Sequence, residues 1–225
     1  MTVLITVCGA SPGVGKSTLC VALSRWLSGT GLRVDHFREE EILTRPQFAA
    51  VAEEFRATGR VGREPLITAT ARFVDAVRAN GDDVVVADAL MPYVPTLLAM
   101  GHGEETINAF MTELAEVLAP VCPVMVYLDG NPETALSRAA RREGALWLDR
   151  YVGKLAEYEV SPPVTDVASA ARYLLRERAV TLGTVGRTHW DLVLVERADE
   201  LPPDEVARVT RRGLGPWLRR AVTHG

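Results

Sequence analysis

The sequence predicts an α/β domain: a five-stranded, mostly parallel sheet covered by helices on both faces, a three-layer α/β/α arrangement. Five short β-rich runs alternate with helical patterns along the chain. A glycine-rich turn joins the first apolar run directly to an amphipathic stretch. Acidic residues close several of the runs at their carboxyl ends, where open parallel sheets bind ligands.

Val3-Leu4-Ile5-Thr6-Val7 reads as a buried strand, and Leu19, Leu23, Trp26 and Leu27 then repeat at helical spacing. Between them lies Cys8-Gly9-Ala10-Ser11-Pro12-Gly13-Val14-Gly15-Lys16-Ser17-Thr18. A glycine-rich turn between strand and helix is the context of a phosphate-binding loop. Its backbone N–H groups can curl around phosphate oxygens, and the helix adds the positive end of its dipole. Ser11, Pro12, Gly13, Val14, Gly15, Lys16, Ser17 and Thr18 are therefore the expected nucleotide-binding residues. Lys16 would reach the β- and γ-phosphates, and Ser17 would ligate Mg²⁺. The first motif position is Ala10, with Gly9 one residue earlier, and alanine is small enough there.

Gly29 to Gly31 ends the first helix, and Leu32 to Phe37 is the second strand, running into Arg38-Glu39-Glu40-Glu41. Thr44-Arg45-Pro46-Gln47 has the spacing of a capping box and predicts a helix through Phe48, Val51, Ala52 and Phe55 to Gly59. Leu66 to Asn80 is helical, with Gly81 closing it. Val84-Val85-Val86-Ala87-Asp88 is a buried parallel strand ending in a carboxylate. Met91 to Gly103 predicts a loop or broken helix, and Glu104 to Ala119 an amphipathic helix. Pro123 to Asp129 is the fourth strand, after which Asn131-Pro132-Glu133 caps a helix carrying Arg138, Arg141 and Arg142. Helices follow at Trp147 to Tyr158 and Thr165 to about Leu182, then a strand at Trp190 to Val195 and a last helix opened by Pro202-Pro203-Asp204-Glu205.

The 225 residues contain neither an internal repeat nor a low-complexity linker and are read as one domain. A net charge of −4 argues against a nucleic-acid partner, which needs a basic surface. No apolar run is long enough to span a bilayer, so no membrane partner is expected. The N-terminal apolar run lacks a basic leader and is assigned to the sheet instead of a signal peptide. Cys8, Cys20 and Cys122, scattered and odd in number, fit reduced thiols and a cytoplasmic setting. His36, His102, His189 and His224 have no metal-ligand spacing.

Gly9 to Thr18, Val84 to Asp88 and the run from Val126 to Arg138 together resemble thymidylate kinase and its nucleoside- and nucleotide-kinase relatives. In that family a Y/F-L-D-x-x-P-E-x-A-L-x-R segment leads from the fourth strand into an arginine-bearing lid; here Tyr127 to Arg138 carries the pattern, placing the lid at about 138–150. The resemblance covers most of residues 1–160 and implies a P-loop kinase fold, ATP (or GTP) and Mg²⁺ as cofactors, and a small-molecule acceptor. It also implies a homodimer, because related kinases often are. Pro65 to Arg72 resembles the family's helix whose arginine contacts the acceptor. Thymidylate kinases place an Asp-Arg pair after the third strand, whereas Asp88 is followed by Ala89. That departure favours an unphosphorylated hydroxyl, as in antibiotic kinases similar to chloramphenicol phosphotransferase.

Phosphoryl transfer then assigns the roles. Lys16, Glu39, Asp88, Arg138 and Arg142 are the expected catalytic residues, with Ser17 and, through water, Asp88 on the metal. Glu39 is the first choice of base, with Glu40, Asp35 and Asp88 as rivals. Asp35, Glu40, Arg72 and Tyr93 are expected at the acceptor, and Tyr93 or Trp147 could stack on a substrate ring or simply pack. Two alternatives remain open: a nucleoside monophosphate kinase, and a nucleotide-switched regulatory NTPase. Against the second, no Asn-Lys-x-Asp motif is present, and Ser11 stands where partitioning ATPases carry an extra lysine.

Overall fold

The structure, a computed structural model, describes all residues except 10, 89–90, 145, 159, 189 and 223–225, and the side chains of 220–222. The expectations placed on His189 and His224 lie outside the described residues. Five strands form one parallel sheet: β1 (Val3–Gly9), β2 (Val34–Phe37), β3 (Val84–Asp88), β4 (Cys122–Leu128) and β5 (Asp191–Val195), in the order β2-β3-β1-β4-β5. The helices are α1 (Lys16–Ser28), α2 (Ala49–Thr58), α3 (Arg63–Asn80), α4 (Val94–Ala99), α5 (Glu104–Leu118), α6 (Pro132–Glu143), α7 (Trp147–Ala156), α8 (Val167–Val185) and α9 (Pro203–Val222).

Side chains alternate across the sheet, because successive residues of a strand point to opposite faces. Val3, Ile5 and Val7 of β1 pack with Leu19, Leu23 and Leu27 of α1 and with Val206 and Leu214 of α9. Leu4 and Cys8 face the other way, toward Phe73 and Val77 of α3 and Phe110 and Leu114 of α5. Both faces are apolar, which is why the strands read as continuous hydrophobic runs in the sequence. A smaller cluster joins Leu136 of α6, Leu155 of α7 and Tyr173 and Leu174 of α8.

Several boundaries differ from the sequence-based expectation. Thr44 starts no helix: it closes the 3-10 turn at Glu39–Leu43, and its hydroxyl donates to the Glu41 carbonyl at 3.2 Å. A second 3-10 turn at Pro46–Phe48 follows, and α2 begins only at Ala49. Arg45 holds this segment, so tertiary ion pairing outweighed the local cap. The broken helix expected after β3 contains a six-residue helix, α4. Helix α8 starts beyond the Asp166 cap, whose carboxylate accepts from the Ser169 N–H at 2.7 Å, and runs through Gly183 to Val185. A glycine inside a helix costs about 1 kcal/mol, less than the buried packing of Val180 and Val185 returns.

Candidate functional site

The register of the sheet brings the site together before any side chain is considered. Val7 of β1 lies beside Asp88, the last residue of β3, and Phe37 of β2 lies beside Ala87. The glycine-rich loop leaving β1, the Asp88 carboxylate and the turn leaving β2 therefore share one edge.

In the loop, Gly13 and Gly15 adopt left-handed backbones with φ of 85° and 108°. A Cβ on Gly13 would stand 2.4 Å from the carbonyl oxygen of Ala135 in α6, so no larger residue fits between loop and helix. Gly15 is the residue before α1, and a Cβ there would meet nothing within 4 Å; its requirement is purely torsional. The Lys16 ammonium donates to the Ser11 carbonyl at 3.0 Å, spanning the loop. Among the described residues, the Ser11 hydroxyl, 1% exposed, and Asp88 Oδ1, in a residue 6% exposed, have no hydrogen-bond partner. Ser17 and Thr18 lie exposed in the first turn of α1, where backbone N–H groups lack helical acceptors. Buried polar atoms without partners are uncommon, and these two leave hydrogen-bonding capacity for a polar guest at the loop.

Glu39 occupies the first position of the 3-10 turn. It remains accessible to solvent, but protein around its carboxyl thins the water, and that desolvation is the main cause of a raised pKa. Asp88 pushes the same value up, while Lys16 and Lys154 pull it down. Residues from β3, α1 and α7 thus converge electrostatically on Glu39.

Other expected residues are already occupied. Asp35 receives both guanidinium nitrogens of Arg45 at 2.6 and 2.8 Å, and Glu41 takes the same arginine at 2.8 Å. Arg45 also lies over the Phe37 ring, 4.3 Å from its centroid. Asp35 is therefore half of an ion-paired knot, not an open carboxylate. Glu40 is exposed, 4.0 Å from Arg38. Arg72 is exposed on α3. Tyr93 corrects its expectation: it is 2% exposed, its hydroxyl lies 2.9 Å from Thr70 Oγ1, and its ring meets Phe110 edge-on. The apolar core between α3 and α5 claims it. Trp147 stacks on Tyr151 at 5.1 Å instead of presenting a free face there. Arg138 donates to the Asp199 carbonyl beyond β5, and Arg142 pairs with Glu143 at 2.7 Å in solvent.

Glu177 of α8 was not singled out in the sequence, and it lies within electrostatic reach of Lys16. Burial raises its pKa to about 7, and Lys16 is the one charge that opposes the shift. Burial chiefly raises the hydroxyls of Tyr127, Tyr151, Tyr158 and Tyr173 and lifts the Cys8 thiol to about 12, and the Glu177 charge adds to each. The signal lay in periodicity. Ala170, Tyr173, Leu174 and Val180 line the inward stripe of α8, and Glu177 falls on that stripe, an acid where an apolar residue is expected.

A separate open cavity of about 450 Å³ lies beyond the start of α6, lined by Asn131, Leu175, Arg178 and Arg197 among others. None of residues 11–18 borders it. Its arginines are engaged, Arg178 by Asp129 at 2.7 and 2.6 Å and Arg197 by Glu200. It is not the place where a triphosphate would be neutralised. No protein-family model matches this chain, and no curated protein matches it.

Proposed function

We propose that the protein is a kinase that transfers the γ-phosphate of ATP (or GTP) to a hydroxyl of a small molecule. The observation that carries this reading is the convergence of the Gly13–Lys16 loop, Asp88 and Glu39 on one sheet edge. The residues fit a magnesium-bound triphosphate: left-handed glycines, an ammonium spanning the loop, and the unpartnered atoms Ser11 Oγ and Asp88 Oδ1. Lys16 and the N–H groups at the start of α1 would hold phosphate oxygens. Ser17 and, through water, Asp88 would hold the cation. When bound, Mg²⁺ neutralises charge on the transferring group.

The chain's own residues then perform positioning and proton transfer. Glu39 accepts the acceptor hydroxyl's proton as that oxygen bonds to the γ-phosphorus and the bond to the β,γ-bridging oxygen breaks, leaving the diphosphate. The raised pKa of Glu39 brings it closer to neutrality, which suits a group that must take a proton and later release it. Lys16, aimed into the same space, stabilises the charge that spreads over the equatorial oxygens. Helices α6 and α7 act as the lid: α6 already touches the loop at Gly13, and Lys154 of α7 acts on Glu39. Arg138 and Arg142 would reach the phosphates only by exchanging their present partners, Asp199 and Glu143. The reading also includes a cytoplasmic enzyme; among the described residues no helix is long and apolar enough to cross a membrane.

The test is a phosphate-transfer screen with ATP and Mg²⁺ against neutral, cationic and phosphorylated hydroxyl compounds, with products identified by mass. Acceptor-dependent formation of a monophosphate ester supports the reading. Hydrolysis stimulated only by a protein partner would replace it with a switch NTPase.

A further inference from the structure

The open cavity of about 450 Å³ beyond the start of α6 has no part in the proposed chemistry. Its volume lies in the range of small-molecule sites. One wall is apolar, built from Pro132, Ala171 and Leu175, the last of them 50% exposed on α8. The rest is charged, and the charges decide what the cavity can hold.

Four carboxylates and two arginines border it. Arg178 is committed to Asp129 through two hydrogen bonds at 2.7 and 2.6 Å, and Arg197 to Glu200. Each pair is neutral, so Asp199 and Glu133 remain as two negative charges without a counter-charge in the lining. The start of α6 does not favour an anion either. Pro132, its first residue, has no N–H, and Asn131 Oδ1 accepts from the next two, Glu133 and Thr134, at 2.9 and 3.1 Å. The cations and the helix end are already committed.

Asp199 is the group left open. It follows β5 and is 5% exposed, yet its carboxylate makes no hydrogen bond or ion pair with any described residue. Only its backbone carbonyl is engaged, by Arg138. Gly130, another lining residue, locates the carboxylate: a Cβ there would stand 2.6 Å from Asp199 Oδ1, so this oxygen lies against bare backbone at the turn between β4 and α6. A buried charge is costly unless a partner compensates it. We propose that the cavity binds an amphipathic amine, its ammonium group on the Asp199 carboxylate and its apolar body against Pro132, Ala171 and Leu175. Exposed Glu133 adds to the attraction. None of residues 11–18 borders the cavity, so this ligand is independent of the kinase reading.

The experiment is a ligand-observed NMR titration of the full chain with tryptamine and with tryptophol, its neutral counterpart carrying a hydroxyl in place of the ammonium. Tryptamine should bind roughly tenfold tighter or more at neutral pH and low salt. Asp199→Asn keeps the shape of the side chain and should bring the two compounds within about twofold of each other. Leu175→Lys sets a competing ammonium on a half-exposed wall position, where the fold tolerates it, and should weaken tryptamine roughly tenfold. Thermal unfolding checks that both variants are folded, and Leu175→Lys decides if Asp199→Asn is not. Equal binding of the two compounds, binding of neither, or an ammonium preference that survives substitution overturns the proposal. Adenosine binding more tightly than tryptamine, and losing affinity in Leu175→Lys, would make the cavity a nucleoside subsite and overturn it as well.

Discussion

Two groups of acidic side chains flank the carboxyl edge of the sheet, and they are built oppositely. Asp35 and Glu41 share Arg45, held by four hydrogen bonds between 2.6 and 3.0 Å and backed by the Phe37 ring. Glu39, Asp88 and Glu177 have no such partner among the described residues, and the charge of Lys16 lowers the pKa of both Glu39 and Glu177 against the burial that raises them. A charge that is paired and hydrogen-bonded fixes a shape; a charge left open in a desolvated recess costs stability and persists for what it can bind. The difference separates scaffold from chemistry even within the run Glu39-Glu40-Glu41, where Glu41 is paired and Glu39 is not.

The comparison predicts where substitutions act. Removing the ammonium in Lys16→Ala should lower turnover by on the order of 10³-fold, because its charge is used in the transition state. Thermal unfolding should change little, since among the described residues the Ser11 carbonyl is its only hydrogen-bond partner. Turnover within a few-fold of wild type would move the triphosphate elsewhere. Glu39→Gln should cost on the order of 10²-fold in kcat with nucleotide affinity intact. Wild-type kcat there would shift the base to Asp88, the remaining unpartnered rival, because Arg45 already occupies Asp35.

The paired group should fail differently. Arg45→Met leaves Asp35 and Glu41 facing each other without a counter-charge, at side-chain exposures of 23% and 31%. The expected loss is about 2–3 kcal/mol of unfolding free energy, read by urea denaturation. Adding Asp35→Asn to Arg45→Met should recover part of that loss. A single variant as stable as wild type would mean that the knot is ornamental and that the 3-10 turn holds itself.

How much of this was legible follows from the range of each interaction. The loop from Gly9 to Thr18, the strands and the carboxylate ending β3 are set by nearest neighbours and period, so sequence alone locates them. Thr44 misled because a capping pattern describes a local option, while Arg45 ties the segment back to β2 across ten residues. Tyr93 misled because proximity to the site along the chain says nothing about which way a ring turns; the core between α3 and α5 took it. Glu177 was invisible for the opposite reason. Some 160 residues separate it from Lys16, and only the stacking of α8 over the same sheet face as Cys8 and Tyr127 brings them together. An acid on an apolar stripe was the available clue, but periodicity cannot say what lies opposite the stripe.

The smallest effect tests the open group most directly, through its cost to the empty protein. With its pKa raised to about 7, folded Glu177 keeps a proton that the unfolded chain, at an ordinary value of 4.5, releases. That contribution to stability is complete below pH 4.5 and is lost as pH rises through 7. Glu177→Gln keeps a neutral side chain of the same shape throughout, so it should match wild type near pH 5 and exceed it near pH 8. The full shift corresponds to about 3 kcal/mol; solvent reaching part of the side chain reduces the expected gain to about 1–2 kcal/mol. Glu39 titrates in the same direction but is common to both proteins and cancels in the difference. Denaturant unfolding of the nucleotide-free protein at the two pH values measures it. A difference that stays flat with pH would mean that Glu177 is as well solvated as any surface acid, and the contrast between paired and open carboxylates would lose its sharpest member.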